Sequence, residues 1–127
     1  MEQKQPPIYH SCLQLSRLVF SITRHFPKKA NYEEGAELRH ASVEVVKECL
    51  LANRSQRGSQ ERKSHQERMS DALTLIEALV GIINEEKMCV QTKGGQRWER
   101  LVSSKAETKI QTSIMIVSKQ LYGWIRS

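Results

Sequence analysis

The fold class predicted from this sequence is a single all-helical domain, 1–127, folded as an antiparallel up-and-down four-helix bundle. Three observations predict it. Apolar residues recur at three- and four-residue intervals through four successive segments, the spacing of one helix face. All the prolines, Pro6, Pro7 and Pro27, fall within the first 27 residues, so nothing later breaks a helix. The breaks between segments are short and polar, and short connections between helices of similar length favour antiparallel neighbours.

The first helix is expected over about residues 7–25. Leu15, Leu18, Val19, Ile22 and Phe26 make its apolar stripe, with Gln14, Arg17, Ser21 and Arg24 on the other side. Pro7 suits a first-turn position and Pro27 ends the helix. Lys28 to Tyr32 then reads as a tight connection. Asn31 with Glu34 three residues on has the pattern of a capping box, opening a second helix over about 33–53. Leu38, Ala41, Val45, Cys49 and Ala52 share one stripe of that helix, with Val43, Val46 and Leu50 beside it, a breadth that implies burial on two sides. Glu33, Glu37, Glu44 and Glu48 form an acidic stripe, read either as a solvated face or as an interface for a basic neighbouring surface.

From Asn53 to Arg68 no side chain is apolar. The third helix, expected over about 59–86, begins at Ser59 or at Ser64, the latter with Glu67 in the S-x-x-E pattern. Met69, Ala72, Leu73, Ile76, Leu79, Val80 and Ile83 are its core stripe. Gly81 costs about 1 kcal/mol relative to Ala inside a helix, which a close helix crossing would explain. Lys93-Gly94-Gly95 closes this segment as a helix connection. The fourth helix, expected over about 96–125, shows Trp98, Leu101, Val102, Ile110, Ile114, Val117, Leu121 and Trp124, with Trp98 read as core.

Composition narrows the function. Lys and Arg number 20 against 14 Asp and Glu, a formal charge of +6, and the sequence pI is near 9.4. Polyanions are therefore the first partner class to consider. Aromatic residues make up only 6%, which argues against a wide cofactor pocket and against a base-stacking platform. No cofactor is expected. The longest uncharged apolar run, Ala78 to Ile83, is far below the ~18 residues of a membrane span, and Met1 to Pro7 lacks the apolar core of a secretion signal. A cytoplasmic protein with no membrane partner is the expectation. Cys12, Cys49 and Cys89 fit no zinc or redox spacing and read as buried reduced thiols.

Catalytic and metal-binding candidates are thin, and none is assigned. His10 and Cys12 lie on different sides of a helix. His25, His40 and His65 read as polar surface or helix-end residues, and no Arg precedes a His at the spacing used by small helical ribonucleases of the HEPN type. Gly94-Gly95 lacks the Lys-Ser/Thr of a phosphate loop. The basic groups say more. Arg54, Arg57, Arg62, Lys63 and Arg68 crowd one polar stretch, and Lys93, Arg97, Arg100, Lys105, Lys109, Lys119 and Arg126 outweigh Glu99 and Glu107 in the last segment. Cations held on helices attract a phosphate backbone without reading bases, so binding should be salt-sensitive and weakly sequence-specific.

Phe26-Pro27-Lys28-Lys29, Leu38-Arg39-His40-Ala41, Leu50-Leu51-Ala52-Asn53 and Leu121-Tyr122-Gly123-Trp124-Ile125, in this order, resemble the accessory variability determinant (Avd) proteins of diversity-generating retroelements. The resemblance covers about residues 10–126. Bundle proteins encoded in ribosomal-RNA intervening sequences share the first turn and are the alternative, a stand-alone RNA-binding or structural bundle. The Avd resemblance implies a four-helix bundle that assembles as a basic, barrel-like homopentamer. It also implies a partnership with the element's reverse transcriptase, with template RNA and cDNA, and a role in mutagenic copying without a catalytic site of its own. By charge and helix position it would place Arg17, Arg24, Arg39, Lys105 and Lys109 against the polymerase or nucleic acid. The chain departs from that pattern at Asp71 and Glu77, and in the length of the polar Arg54–Arg68 stretch, expected to be disordered or to fold on RNA.

Overall fold

The computed structural model describes residues 6–85, 88–92 and 94–127, with strand residues 88–92 and 96–99 described by backbone alone. Four long helices form the bundle: α1 (Pro7–Thr23), α3 (Ala36–Arg54), α4 (Gln60–Glu85) and α5 (Ser104–Arg126). A helical turn, α2 (Lys28–Ala30), and a wider π-turn, Asn31–Gly35, lead straight into α3. Between α4 and α5 the antiparallel strands β1 (Met88–Thr92) and β2 (Gly95–Glu99) form a hairpin, with Thr92 opposite Gly95 and Met88 opposite Glu99.

Neighbouring helices run antiparallel, and side-chain contacts place each pair. Ser16 meets Ser42 at 3.1 Å across α1 and α3. Glu48 near the end of α3 meets His65 near the start of α4. Asn84 at the end of α4 meets Glu107 at the start of α5, and Trp124 at the end of α5 lies with Pro7 and Ile8 at the start of α1. The predicted stripes converge in the middle. Leu15, Val19, Leu38, Val45, Met69, Ile76, Ile110 and Val117 are all buried, each side chain contributing about 1.5–3 kcal/mol by leaving water.

Several boundaries differ from expectation. Helix α1 ends at Thr23, two residues early, because its last turn tightens: Phe26 N–H donates to Thr23 O at 3.0 Å before Pro27 stops it. No capping box forms at Asn31; the backbone is already helical from Lys28, and the Asn31 side chain instead accepts from Arg39. Ser59, and not Ser64, caps α4, its Oγ accepting from Arg62 N–H at 3.1 Å. The fourth helix begins at Ser104 instead of residue 96, capped by Ser103 Oγ accepting from Ala106 N–H. The segment read as its first turns is β2, and Gly94-Gly95 belongs to the hairpin's turn, where Gly95 takes φ +119°, a conformation suited to glycine. A Cβ at Gly81 would meet nothing within 4 Å, so no close crossing explains that glycine. The side chains of Cys89, Arg97 and Trp98, and Lys93 altogether, lie outside the described residues.

Candidate nucleic-acid interface

The polar stretch Arg54–Arg68 is ordered, and the structure explains how. Ser55 closes α3, its Oγ donating to Leu51 O at 2.8 Å. Gly58, at φ +80°, makes the bend that an L side chain would strain. Arg62 then fastens the junction. Its Nε donates to Ala52 O at 3.0 Å, a carbonyl that also accepts from Ser55 N–H at 3.1 Å, and its Nη2 donates to Asn53 O at 3.4 Å. Its guanidinium also sits 5.4 Å from the centre of the Trp124 ring, joining α3, α4 and α5. Gln66 is only 3% exposed and His65 half-buried, so this stretch buries polar groups where it has no apolar ones. Around the junction, Arg54, Arg57, Lys63 and Arg68 are exposed, and none has an ion-pair partner among the described residues.

At the opposite end Arg100, although exposed, is engaged with the start of α5. It donates to Ser104 Oγ at 3.1 Å and pairs with Glu107, whose carboxylate also accepts from Asn84 Nδ2 at 3.0 Å. Asn84 Oδ1 in turn accepts from Val102 N–H at 3.1 Å, so this cluster locks α4 to the start of α5. Arg24, Lys105 and Lys109 near that end, and Arg17 midway along α1, are exposed and unpaired among the described residues. Arg39 is half-buried and engaged with Asn31. Arg62 and Asn84 mark the two ends of α4 and are separated by roughly 33 Å at ~1.5 Å per residue. The sequence-predicted cations with described side chains therefore gather mainly at two ends of the bundle, with Arg17 between them and Arg39, Arg62 and Arg100 engaged by groups of the chain itself.

The acidic stripe is split as well. Glu33 and Glu37 are exposed, but Glu48 is buried, contrary to a fully solvated face. His65, expected at the surface with no carboxylate to orient it, donates from Nδ1 to Glu48 Oε2 at 2.5 Å. The sequence hid this pair because 17 residues separate its members. Glu44 accepts from Lys47 Nζ at 2.9 Å, and this bond raises the lysine's hold on its proton. His10, His25 and His40 are exposed. Among the described residues no three His, Cys, Asp or Glu side chains are grouped to hold a metal ion, and no helix is long and apolar enough to cross a membrane. Cys12 and Cys49 are free thiols and fully buried in the core. Their shared hydrogen bond, and then burial, push the Cys12 thiol far above its ordinary value.

A groove of 440 Å³ runs between α3 and α4. Ala41, Ala72, Leu75 and Leu79 form its apolar floor, and Glu37, Glu44 and Asp71 stand on its margin with His40 and Arg68. Leu75 is about half exposed there, as are Met115 and Ile116 on α5. No protein-family model, curated protein or solved structure matches the chain.

Proposed function

We propose that this chain is a non-catalytic accessory subunit of a diversity-generating retroelement, of the Avd type. In this reading it holds RNA and cDNA beside the element's reverse transcriptase and supports mutagenic cDNA synthesis. The observation that carries the proposal is the set of cations on the bundle that are exposed and without ion-pair partners among the described residues: Arg54, Arg57, Lys63 and Arg68 at one end, with Arg17, Arg24, Lys105 and Lys109 beyond. Cations carried on helices and the tight turns between them meet phosphates without folding of the backbone, and they carry no base-edge code. Their division between two ends suits a subunit with two partners, nucleic acid on one side and polymerase on the other.

Self-association into a homopentamer is part of the proposal. The α3–α4 groove has an apolar floor and a margin on which Glu37, Glu44 and Asp71 outnumber Arg68, whereas Lys109, Met115, Ile116 and Lys119 share the exposed side of α5. Two different, complementary surfaces make a head-to-tail contact, the type that closes into a ring. RNA affinity measured against salt concentration tests the polyanion reading. Affinity should fall log-linearly, and replacing Arg54, Arg57 and Lys63 by Ala should reduce the slope by roughly 2, at ~0.7 per phosphate contact on a single strand. Binding insensitive to salt, or no binding, would overturn it.

A further inference from the structure

The structure assigns a phosphate-binding site to the small cavity where the start of α4 meets the end of α5. The inference rests on the polyanion reading only for the source of the phosphate, which is RNA. The cavity measures 40 Å³, and Arg57, Ser59, Arg62, Lys63, Gln66 and Trp124 contribute to its walls. One water needs roughly 10–15 Å³ of such space, so it holds about three, the bulk of one phosphate group and less than a nucleobase.

Two independent features point to an anion. The first is charge: among the described residues Arg57 and Lys63 are exposed and without ion-pair partners and no Asp or Glu side chain lines the cavity, so these cations set its sign, the positive end of α4 and the negative end of α5 offsetting each other there. The second is Gln66. It is only 3% exposed and lines the cavity, yet its side-chain amide has no hydrogen-bond partner among the described residues. A nearly buried amide on the cavity wall, with its NH₂ not engaged by the described residues, can donate to a ligand oxygen there. Arg62, pinned by the Ala52 and Asn53 carbonyls beneath Trp124, supplies a fixed guanidinium whose Nη1 is left over for the same ligand.

A titration followed by NMR at the Gln66 side-chain amide and the Trp124 indole tests this, using inorganic phosphate and then oligouridylates with a 5′-phosphate or a 5′-hydroxyl. Saturable shifts at both groups are expected, and the combined Arg57→Ala, Lys63→Ala variant should weaken binding at least tenfold. Gln66→Leu, which removes the donor and keeps the bulk, should lower phosphate affinity several-fold while leaving the melting temperature nearly unchanged, a separation that a purely structural glutamine would not show. Shifts with the 5′-phosphorylated strand alone identify a terminal phosphate, and shifts with both strands a backbone phosphodiester. Gln66 and Trp124 unmoved by phosphate, while RNA still binds in a salt-dependent way, would overturn the site and leave the polyanion reading standing. RNA ignored while phosphate still moves Gln66 would uphold the site and remove that reading.

Discussion

Arg39 reaches back eight residues along its own helix to hold Asn31, its Nη1 donating to Asn31 Oδ1 at 2.5 Å and its Nη2 to Asn31 O at 3.1 Å. The π-turn Asn31–Gly35 widens the backbone just where this bond forms. Gly35 makes room for it: a Cβ there would stand 3.0 Å from Arg39 Nη1 and 3.1 Å from Asn31 Oδ1. Arg39→Ala should therefore cost about 1–2 kcal/mol of stability, the range of a charged hydrogen bond, with RNA affinity unchanged. Gly35→Ala should destabilise the wild-type protein but stabilise the Arg39→Ala variant by about 0.5–1 kcal/mol, once the obstruction is gone and only helix propensity remains. Urea denaturation of the four proteins measures both.

The Glu48–His65 pair should be the costliest polar contact to break from one side. Its side chains are 6% and 12% exposed, and among the described residues the carboxylate has, beyond His65, only Lys47 Nζ at 3.8 Å. His65→Ala should cost about 3 kcal/mol by leaving a buried carboxylate poorly paired. Replacing both residues by Leu should recover most of that loss, since neither charge then remains to be desolvated. Denaturant midpoints of the two variants compare the cases directly.

Alkaline pH should weaken the fold through Cys12. Its thiol is held protonated in the folded protein, whereas in the unfolded chain it titrates near its ordinary 9.0. The unfolded state therefore binds fewer protons once the pH passes that value, and stability falls as pH rises, by up to ~1.4 kcal/mol per pH unit. Under reducing conditions, stability measured from pH 8 to 10 should fall less steeply in Cys12→Ala than in the wild type.

Gly81 carries a prediction of opposite sign. Open space around its Cα removes any packing reason for a glycine inside α4. Gly81→Ala should stabilise by up to about 1 kcal/mol, seen as a rise in melting temperature.

The helical stripes were legible because apolar periodicity reports directly on which face is buried. Leu38, Ala41, Val45, Cys49 and Ala52 are buried together, as their spacing implies. Cys89 to Thr92 and Gln96 to Glu99, flanking Gly94-Gly95, also carried a hairpin signal, but the apolar Trp98, Leu101 and Val102 lengthened the helical pattern and masked it. Ser103 was the stop-and-start signal that marked the true beginning of α5. The candidate interface was legible as a list of cations and not as a surface. Which of them are free depends on contacts distant in sequence: Arg62 reaches Ala52 and Trp124, and Arg100 reaches Glu107. Gln66 gave no sequence signal at all, since only the closure of the bundle end makes a buried glutamine of it.

Co-expression of this chain with the reverse transcriptase of the same genetic element, followed by nuclease treatment, purification and light scattering, tests the accessory-subunit proposal most directly. A stable complex containing five copies of this chain for each polymerase is expected. An oligomer that ignores the polymerase even when RNA is restored would contradict it, and would leave a stand-alone bundle of the intervening-sequence type.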